Sequence, residues 1–196
     1  MKHMLKKYLG QFTSLSEEEQ SNVLDEIVVE EYPRGTTLLR QGDIPTKCYF
    51  VLKGCVRQYA VDEAGKETTS NFYTEEQAIA AFHRYKRDQA SGYSFVCVED
   101  CVLVVGDLDG EASMFEKYTQ LETMTRKMVE EHLSDMQDEF AAFIAASPED
   151  RYKALLMNRP GLADRVPQHQ LASYLGMTPE SLSRIKKRLQ SERQSP

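Results

Sequence analysis

The hydrophobic positions change period along the chain. Leu5, Tyr8, Leu9 and Phe12 recur at helical spacing. Ser16 followed by Glu19 predicts a reciprocal N-terminal cap, with Val23, Leu24 and Ile27 as the apolar stripe of the helix behind it. Beyond Pro33 the pattern shortens. The apolar or alternating runs 36–39, 48–52, 55–61, 68–73, 93–98 and 101–105 read as strands. Arg34-Gly35, Gln41-Gly42-Asp43, Lys53-Gly54 and Asp62-Glu63-Ala64-Gly65 read as turns between them. Short strands punctuated by glycine turns predict a small β-sandwich or β-roll. Residues 78–82 read as helix or loop, and 84–92 as an exposed polar excursion.

A helical period then runs from Asp109 to Ala145, with no Gly or Pro between Glu111 and Ser147. Met114, Leu121 and Met128 are seven apart, and Tyr118, Thr125 and His132 form a parallel row; Met124, Met136, Phe140 and Phe143 continue the apolar side. A helix of this length would span roughly 55 Å. The near-heptad spacing predicts a dimer-forming coiled coil. After it, Ser147-Pro148-Glu149 caps a helix that ends near Arg159-Pro160-Gly161. A short helix over 168–175 stops at Gly176, and Thr178-Pro179-Glu180 caps another reaching about Gln190.

Composition narrows the classes. The 196 residues suffice for a core without disulfides or a structural metal. No window of about 18 apolar residues exists, which excludes a transmembrane helix, so no membrane role is expected. Residues 1–12 lack an apolar run and a small-residue cleavage site, so no signal peptide is expected. Cys48, Cys55, Cys97 and Cys101 show no metal-ligand spacing and read as buried thiols of a cytoplasmic protein. Cys97 and Cys101 would form a redox pair only if Glu99-Asp100 supplied a turn between them. No phosphate loop, paired metal motif or nucleophile elbow is found, so neither an enzyme nor a cofactor or metal is predicted.

The net charge of −7 argues against nucleic acid as a partner, but its distribution points the other way. From Arg151 onward the chain holds nine Lys or Arg against three Asp or Glu, a net +6; the first 150 residues hold 15 basic and 28 acidic groups, a net −13. A basic module on an acidic body binds phosphate locally while the body resists nonspecific adhesion.

The stretch QLASYLGMTPESLSRIKKRL, Gln170 to Leu189, fits a helix-turn-helix. Ala172 is small where two helices cross, and Gly176 occupies a turn where a left-handed backbone suits glycine. Leu171, Leu175, Leu182 and Ile185 supply a shared core. Thr178 caps the second helix, which then shows Glu180, Ser181, Ser183, Arg184 and Lys187 outward. Arg pairs with guanine edges, Glu accepts from cytosine, and Ser and Lys reach phosphate.

With these residues the chain resembles a transcription regulator of the Crp/Fnr superfamily, in its short Bacteroidetes-type form. RGTTLLRQGD, YFVLKGCVRQY and DEAGKE are similar to the turns of a cyclic-nucleotide-binding β-roll, with Gly35, Gly42, Gly54 and Gly65 at those turns. The resemblance implies an α+β fold: a β-roll sensor over 1–108, a dimer helix over 109–145, and a helix-turn-helix over 146–196. It implies a homodimer on a palindromic duplex, with RNA polymerase and an unidentified small-molecule effector as partners. The effector pocket falls at Tyr73, Ala80, Ala81, Phe82, Ser91, Gly92 and Tyr93.

The family pattern is kept unevenly. Cyclic-AMP-responsive members read DNA with Arg-Glu, three residues, then Arg. This chain keeps Glu180 and Arg184 but has Pro179 at the first arginine, and it ends too soon after Leu189 for a full β-wing. Cyclic-nucleotide binders carry Gly-Glu for the ribose and Arg-Ser or Arg-Thr for the phosphate; the matching registers here are Ala80-Ala81 and Ser91-Gly92. A buried phosphate without a cation costs several kcal/mol, so tight binding of cAMP or cGMP is not expected. Arg84, Lys86 and Arg87 read as a solvated loop. Iron-sulfur chemistry lacks its N-terminal cysteines, and His83, the best-placed haem ligand, reads as a loop histidine, as His169 reads as solvent-facing. The contrasting function is a sensor or interaction module whose helix-turn-helix no longer binds DNA.

Overall fold

The computed structural model of the chain describes residues 5–7, 9–10, 13–79, 89–107 and 110–194. Helix α1, Glu17–Glu26, begins at the expected cap. The Ser16 backbone N–H donates to Glu19 Oε2 at 2.8 Å, and the Glu19 N–H donates to Ser16 Oγ at 3.3 Å. Eight strands follow: β1 Val28–Tyr32, β2 Thr37–Leu39, β3 Lys47–Lys53, β4 Val56–Val61, β5 Glu67–Tyr73, β6 Ala78–Ile79, β7 Ser94–Cys97 and β8 Cys101–Asp107. They form two antiparallel four-stranded sheets, ordered β1-β8-β3-β6 and β2-β7-β4-β5.

Alternation along the strands divides the side chains between two cores. Tyr49, Val51, Val56, Ile79, Phe95 and Leu103 fill the space between the sheets. On the outer face of the first sheet, Phe50, Leu52, Val102 and Val104 meet Val23 and Leu24 of α1, together with Leu5 and Leu9. A sheet covered on both faces carries near-continuous apolar runs, as β3 and β8 do. Strand β1 was not expected from the sequence. Its Val-Val-Glu-Glu-Tyr run follows directly on the stripe of α1, and it becomes a strand by pairing along its whole length with β8.

The segment read as one helix from Asp109 to Ala145 is two. Helix α2, Gly110–Lys117, and helix α3, Thr119–Ala145, meet at Tyr118, whose backbone (φ −129°, ψ 80°) is not helical. No Gly or Pro marks the break because packing makes it. Phe115, Tyr118 and Leu121 are all buried against the same roll, beside Leu24 and Leu52, and a straight helix turns away from that surface too early. The 27 residues of α3 span about 40 Å, not 55.

Four helices complete the chain: α4 Pro148–Asn158, α5 Leu162–Arg165, α6 Gln168–Tyr174 and α7 Pro179–Gln194. Ser147 caps α4 by accepting from the Asp150 N–H at 3.2 Å. The core of this module is continuous with the roll. Leu155, Leu162, Leu171, Leu175 and Leu182 share one cluster with Cys55 and Phe72. No described helix is long and apolar enough to cross a membrane.

Candidate nucleic-acid interface

Helices α6 and α7 cross over a core in which Leu171, Ala172 and Leu182 are wholly buried. Gly176 turns the chain between them at φ +68°, where a Cβ would come within 3.0 Å of the Arg151 guanidinium. The Met177 N–H donates back to the Ala172 carbonyl at 3.0 Å. Thr178 opens α7 as expected, its Oγ1 accepting from the Ser181 N–H at 3.2 Å.

Burial of Leu182 and Ile185 turns the opposite face of α7 outward. Thr178, Glu180, Arg184 and Lys187 are exposed there, with Ser181 and Ser183 half-buried beside them. Arg184 donates to Ser181 Oγ at 3.4 Å. Glu180 stands in the first helical turn, where the aligned peptide dipoles favour an anion. Its own backbone N–H, the Thr178 hydroxyl and the Arg184 charge hold its carboxyl below the usual range. Glu180, Arg184 and Lys187 thus share the outward face of α7, with Ser181 and Ser183 at its edges and Thr178 at its cap. Two other basic groups of α7 are engaged: Arg188 pairs with Glu149, and the Lys186 ammonium lies 5.8 Å from the Tyr152 ring centre. His169 is exposed at the start of α6.

Sequence spacing gave no sign of how the module is held. Contacts 66 to 104 residues apart fasten it to the roll. The Thr69 N–H donates to Ser173 Oγ at 2.9 Å, and Arg159 Nη2 donates to the Phe72 carbonyl at 2.5 Å. The Arg165 guanidinium forks onto Glu75, with Nη1–Oε2 and Nη2–Oε1 both at 2.8 Å, and reaches Glu99 Oε1 from Nε at 3.1 Å. Burial alone would raise the Glu75 carboxyl, but Arg165 and the Gly54 N–H outweigh it and hold it down at about 2.

Four of the expected effector residues, Tyr73, Ser91, Gly92 and Tyr93, are among the described ones. Tyr73 is buried, packs against Phe95, and donates its hydroxyl to Gln58 Oε1 at 2.7 Å. Ser91 is 4% exposed, and its hydrogen-bonding groups are taken. Its Oγ donates to the Tyr93 carbonyl at 2.7 Å and accepts the Tyr93 N–H at 3.1 Å, while its backbone pairs with Gly42 and Asp43. Gly92 and Tyr93 face solvent. Ala80, Ala81, Phe82, His83, Arg84, Lys86 and Arg87 lie outside the described residues. A cavity of about 230 Å³ remains in the roll, lined by Leu38, Leu39, Tyr49, Ile79 and Phe95, with Lys47 its one cation among the described residues.

Of the expected dimer residues, Tyr118 and Leu121 are buried on the same chain's roll, and Met114 and Thr125 are half-buried. Met128 and His132 lie on α3, with side chains outside the described residues. Among the described side chains of α3, Leu133, Phe140 and Ile144 are exposed, at 53%, 66% and 63%.

A turn does bring Cys97 and Cys101 together. Their thiols hydrogen-bond, and that bond, then burial, pushes the Cys97 thiol up. Burial pushes Cys55 up to about 12. All four cysteines are free thiols. Among the described residues no group of three or more His, Cys, Asp or Glu is placed to hold a metal.

Known proteins share this arrangement. The profile of the cyclic nucleotide-binding domain matches residues 29–118. The fumarate and nitrate reduction regulatory protein of Escherichia coli is 25% identical over 191 residues, covering 88% of this chain and 74% of that protein. The c-di-GMP-responsive global regulator CLP of Xanthomonas campestris superposes with a TM-score of 0.70 at 16% identity, over 88% of this chain and 90% of that one. FixK2 of Bradyrhizobium japonicum superposes with a TM-score of 0.71 at 16% identity, over 85% of each. Residues 29–118 thus match the cyclic nucleotide-binding domain, and the chain as a whole shares its fold with CLP and FixK2 and is similar in sequence to the fumarate and nitrate reduction regulatory protein.

Proposed function

We propose that this chain is a non-enzymatic, cytoplasmic regulator that binds a palindromic DNA duplex as a homodimer. The observation that carries the reading is the outward row Glu180, Arg184 and Lys187 on a capped helix whose opposite face is buried. Two such helices enter successive major grooves about 34 Å apart. Arg184 reads a guanine edge, Glu180 accepts from cytosine, and Thr178, Ser181, Ser183 and Lys187 position the helix on phosphates. Leu133, Phe140 and Ile144 on α3 are available to pair the two protomers. RNA polymerase is the downstream partner.

The effector is not cAMP or cGMP. Ser91, at the phosphate register, is occupied with its own turn, and Tyr73 and Gln58 close on one another inside the roll. A small effector would use the cavity beside Lys47, whose lining is part polar and part apolar.

Selection from a random duplex library with the purified full chain, at near-physiological salt and without added ligand, tests the reading. The expected result is an enriched palindrome with half-sites about one helical turn apart. Absence of enrichment, both alone and with added cell extract, rejects it.

A further inference from the structure

Two arms of the roll end on one guanidinium of the helix-turn-helix module. Arg165, the last residue of α5, donates to both oxygens of Glu75 and to Glu99 Oε1. Glu75 stands just before β6, and its Oε1 also accepts the Gly54 N–H at 2.9 Å, which fixes it to the β3–β4 turn. Glu99 stands in the turn between β7 and β8. The far end of β6 runs into Ala80, and the near end of β7 comes out of Ser91–Tyr93. Glu75 lies three residues before β6 and Glu99 two residues after β7, and the other ends of these strands lead toward the expected effector registers.

The remaining attachments are of a different kind. Thr69 to Ser173, Arg159 to the Phe72 carbonyl, and the Phe72–Tyr174 ring contact all lie along β5. These polar and ring contacts hold the module against β5, and Cys55 and Val98 add apolar packing at the β3–β4 and β7–β8 turns. Arg165 adds charged contacts at the turns before β6 and after β7, and its planar fork satisfies two carboxylates at once, which a lysine ammonium does not reproduce. The exposed row of α7 takes no part in any of these contacts.

We propose that Arg165 is a positioning residue for DNA binding: clamped by Glu75 and Glu99, it sets the orientation of the recognition helix on the roll and passes to it any displacement of β6 or β7. This rests on the DNA-binding reading above and adds its regulation. The clamped orientation is the competent one. It leaves the recognition surface clear, and a helix already held in place loses less freedom on docking. An effector that shifts either strand weakens DNA binding from a distance.

The test uses the full chain, the selected duplex and four variants: Arg165→Gln, Arg165→Lys, Glu99→Gln as the milder change, and the charge-swapped pair Arg165→Glu with Glu75→Arg. Two quantities are read, the duplex Kd across a NaCl series and amide hydrogen exchange at Thr69. Arg165→Gln should weaken binding about tenfold, with the salt slope unchanged, because Arg165 touches no phosphate. Exchange at Thr69 should rise. Arg165→Lys and Glu99→Gln should fall between, and the charge swap should restore part of the affinity. Unchanged or tighter binding in Arg165→Gln overturns the proposal. So does a salt slope lower by about one, which marks a direct phosphate contact. If the unmodified chain binds no duplex, the DNA reading fails and the role of Arg165 in DNA binding is overturned with it. Exchange at Thr69 then still decides the clamp itself: unchanged protection in Arg165→Gln overturns that as well.

Discussion

The ring of Phe72, on the roll, meets the ring of Tyr174, on the helix-turn-helix module, edge to face at 5.5 Å and 75°. Phe72 is wholly buried and belongs to the same cluster as Leu171 and Leu182. The module shares its core with the roll, so the two should unfold together. Calorimetry of the full chain is expected to show one transition. Leu171→Ala should cost about 2–5 kcal/mol and move probes on both parts equally. Two resolved transitions, with only one displaced by the substitution, would show separate units.

Arg184 and Lys187 are one turn apart on the exposed face of α7, yet different losses are expected. On the proposed reading, Arg184→Ala removes a base contact. It should cost about 1–3 kcal/mol and relax sequence preference at one position of each half-site. Lys187→Ala should weaken all duplexes alike and lower the salt slope by about one per protomer. Titrations against the selected duplex and a scrambled one separate the two effects. Equal losses on both duplexes for Arg184→Ala would remove it from base reading.

Gly54 and Gly65 both adopt positive φ, +106° and +79°. A Cβ at Gly65 meets nothing within 4 Å, whereas one at Gly54 falls 2.6 Å from Cys101 Sγ and 2.8 Å from the Asp100 carbonyl oxygen. Gly65→Ala should therefore cost only the conformational strain, about 1 kcal/mol. Gly54→Ala should cost more, because rigid backbone must shift as well. Chemical denaturation of the two variants ranks them, and equal midpoints would contradict the geometry.

Glu75 gives the fold an acid limit. Its carboxyl is held at about 2, below the ordinary 4.5. A depressed folded value stabilises the native state above the unfolded value, and that contribution disappears as pH falls through the folded one. The stability gap between the unmodified chain and Glu75→Gln should be constant above about pH 5 and shrink from there toward pH 2. With the side chain 37% exposed, salt should narrow the gap at any pH. A gap that grows on acidification would contradict the clamp chemistry.

The elements legible in the sequence were those with local causes. Ser16 and Glu19, Ser147 with Pro148, and Gly176 with Thr178 each announce a helix end through residues a few positions apart. The outward row of α7 was legible for the same reason: Leu182 and Ile185 fix which face is buried. What depended on distant partners was not legible. Tyr118 breaks a helix because the roll receives it, and β1 is a strand because β8 pairs with it. Arg165 reads as one more cation of a basic module until the fold brings Glu75 and Glu99, 90 and 66 residues away, to its guanidinium.

The hydroxyl of Ser91 sets a cost on placing a cation at this corner of the roll. An arginine in its place would supply the missing cation. It would also delete the hydroxyl that locks Tyr93, and it would thread a long side chain through a position 4% exposed. Ser91 thus ties this corner of the roll to its present turn, and a cationic replacement is expected to loosen the fold before it can hold any anion.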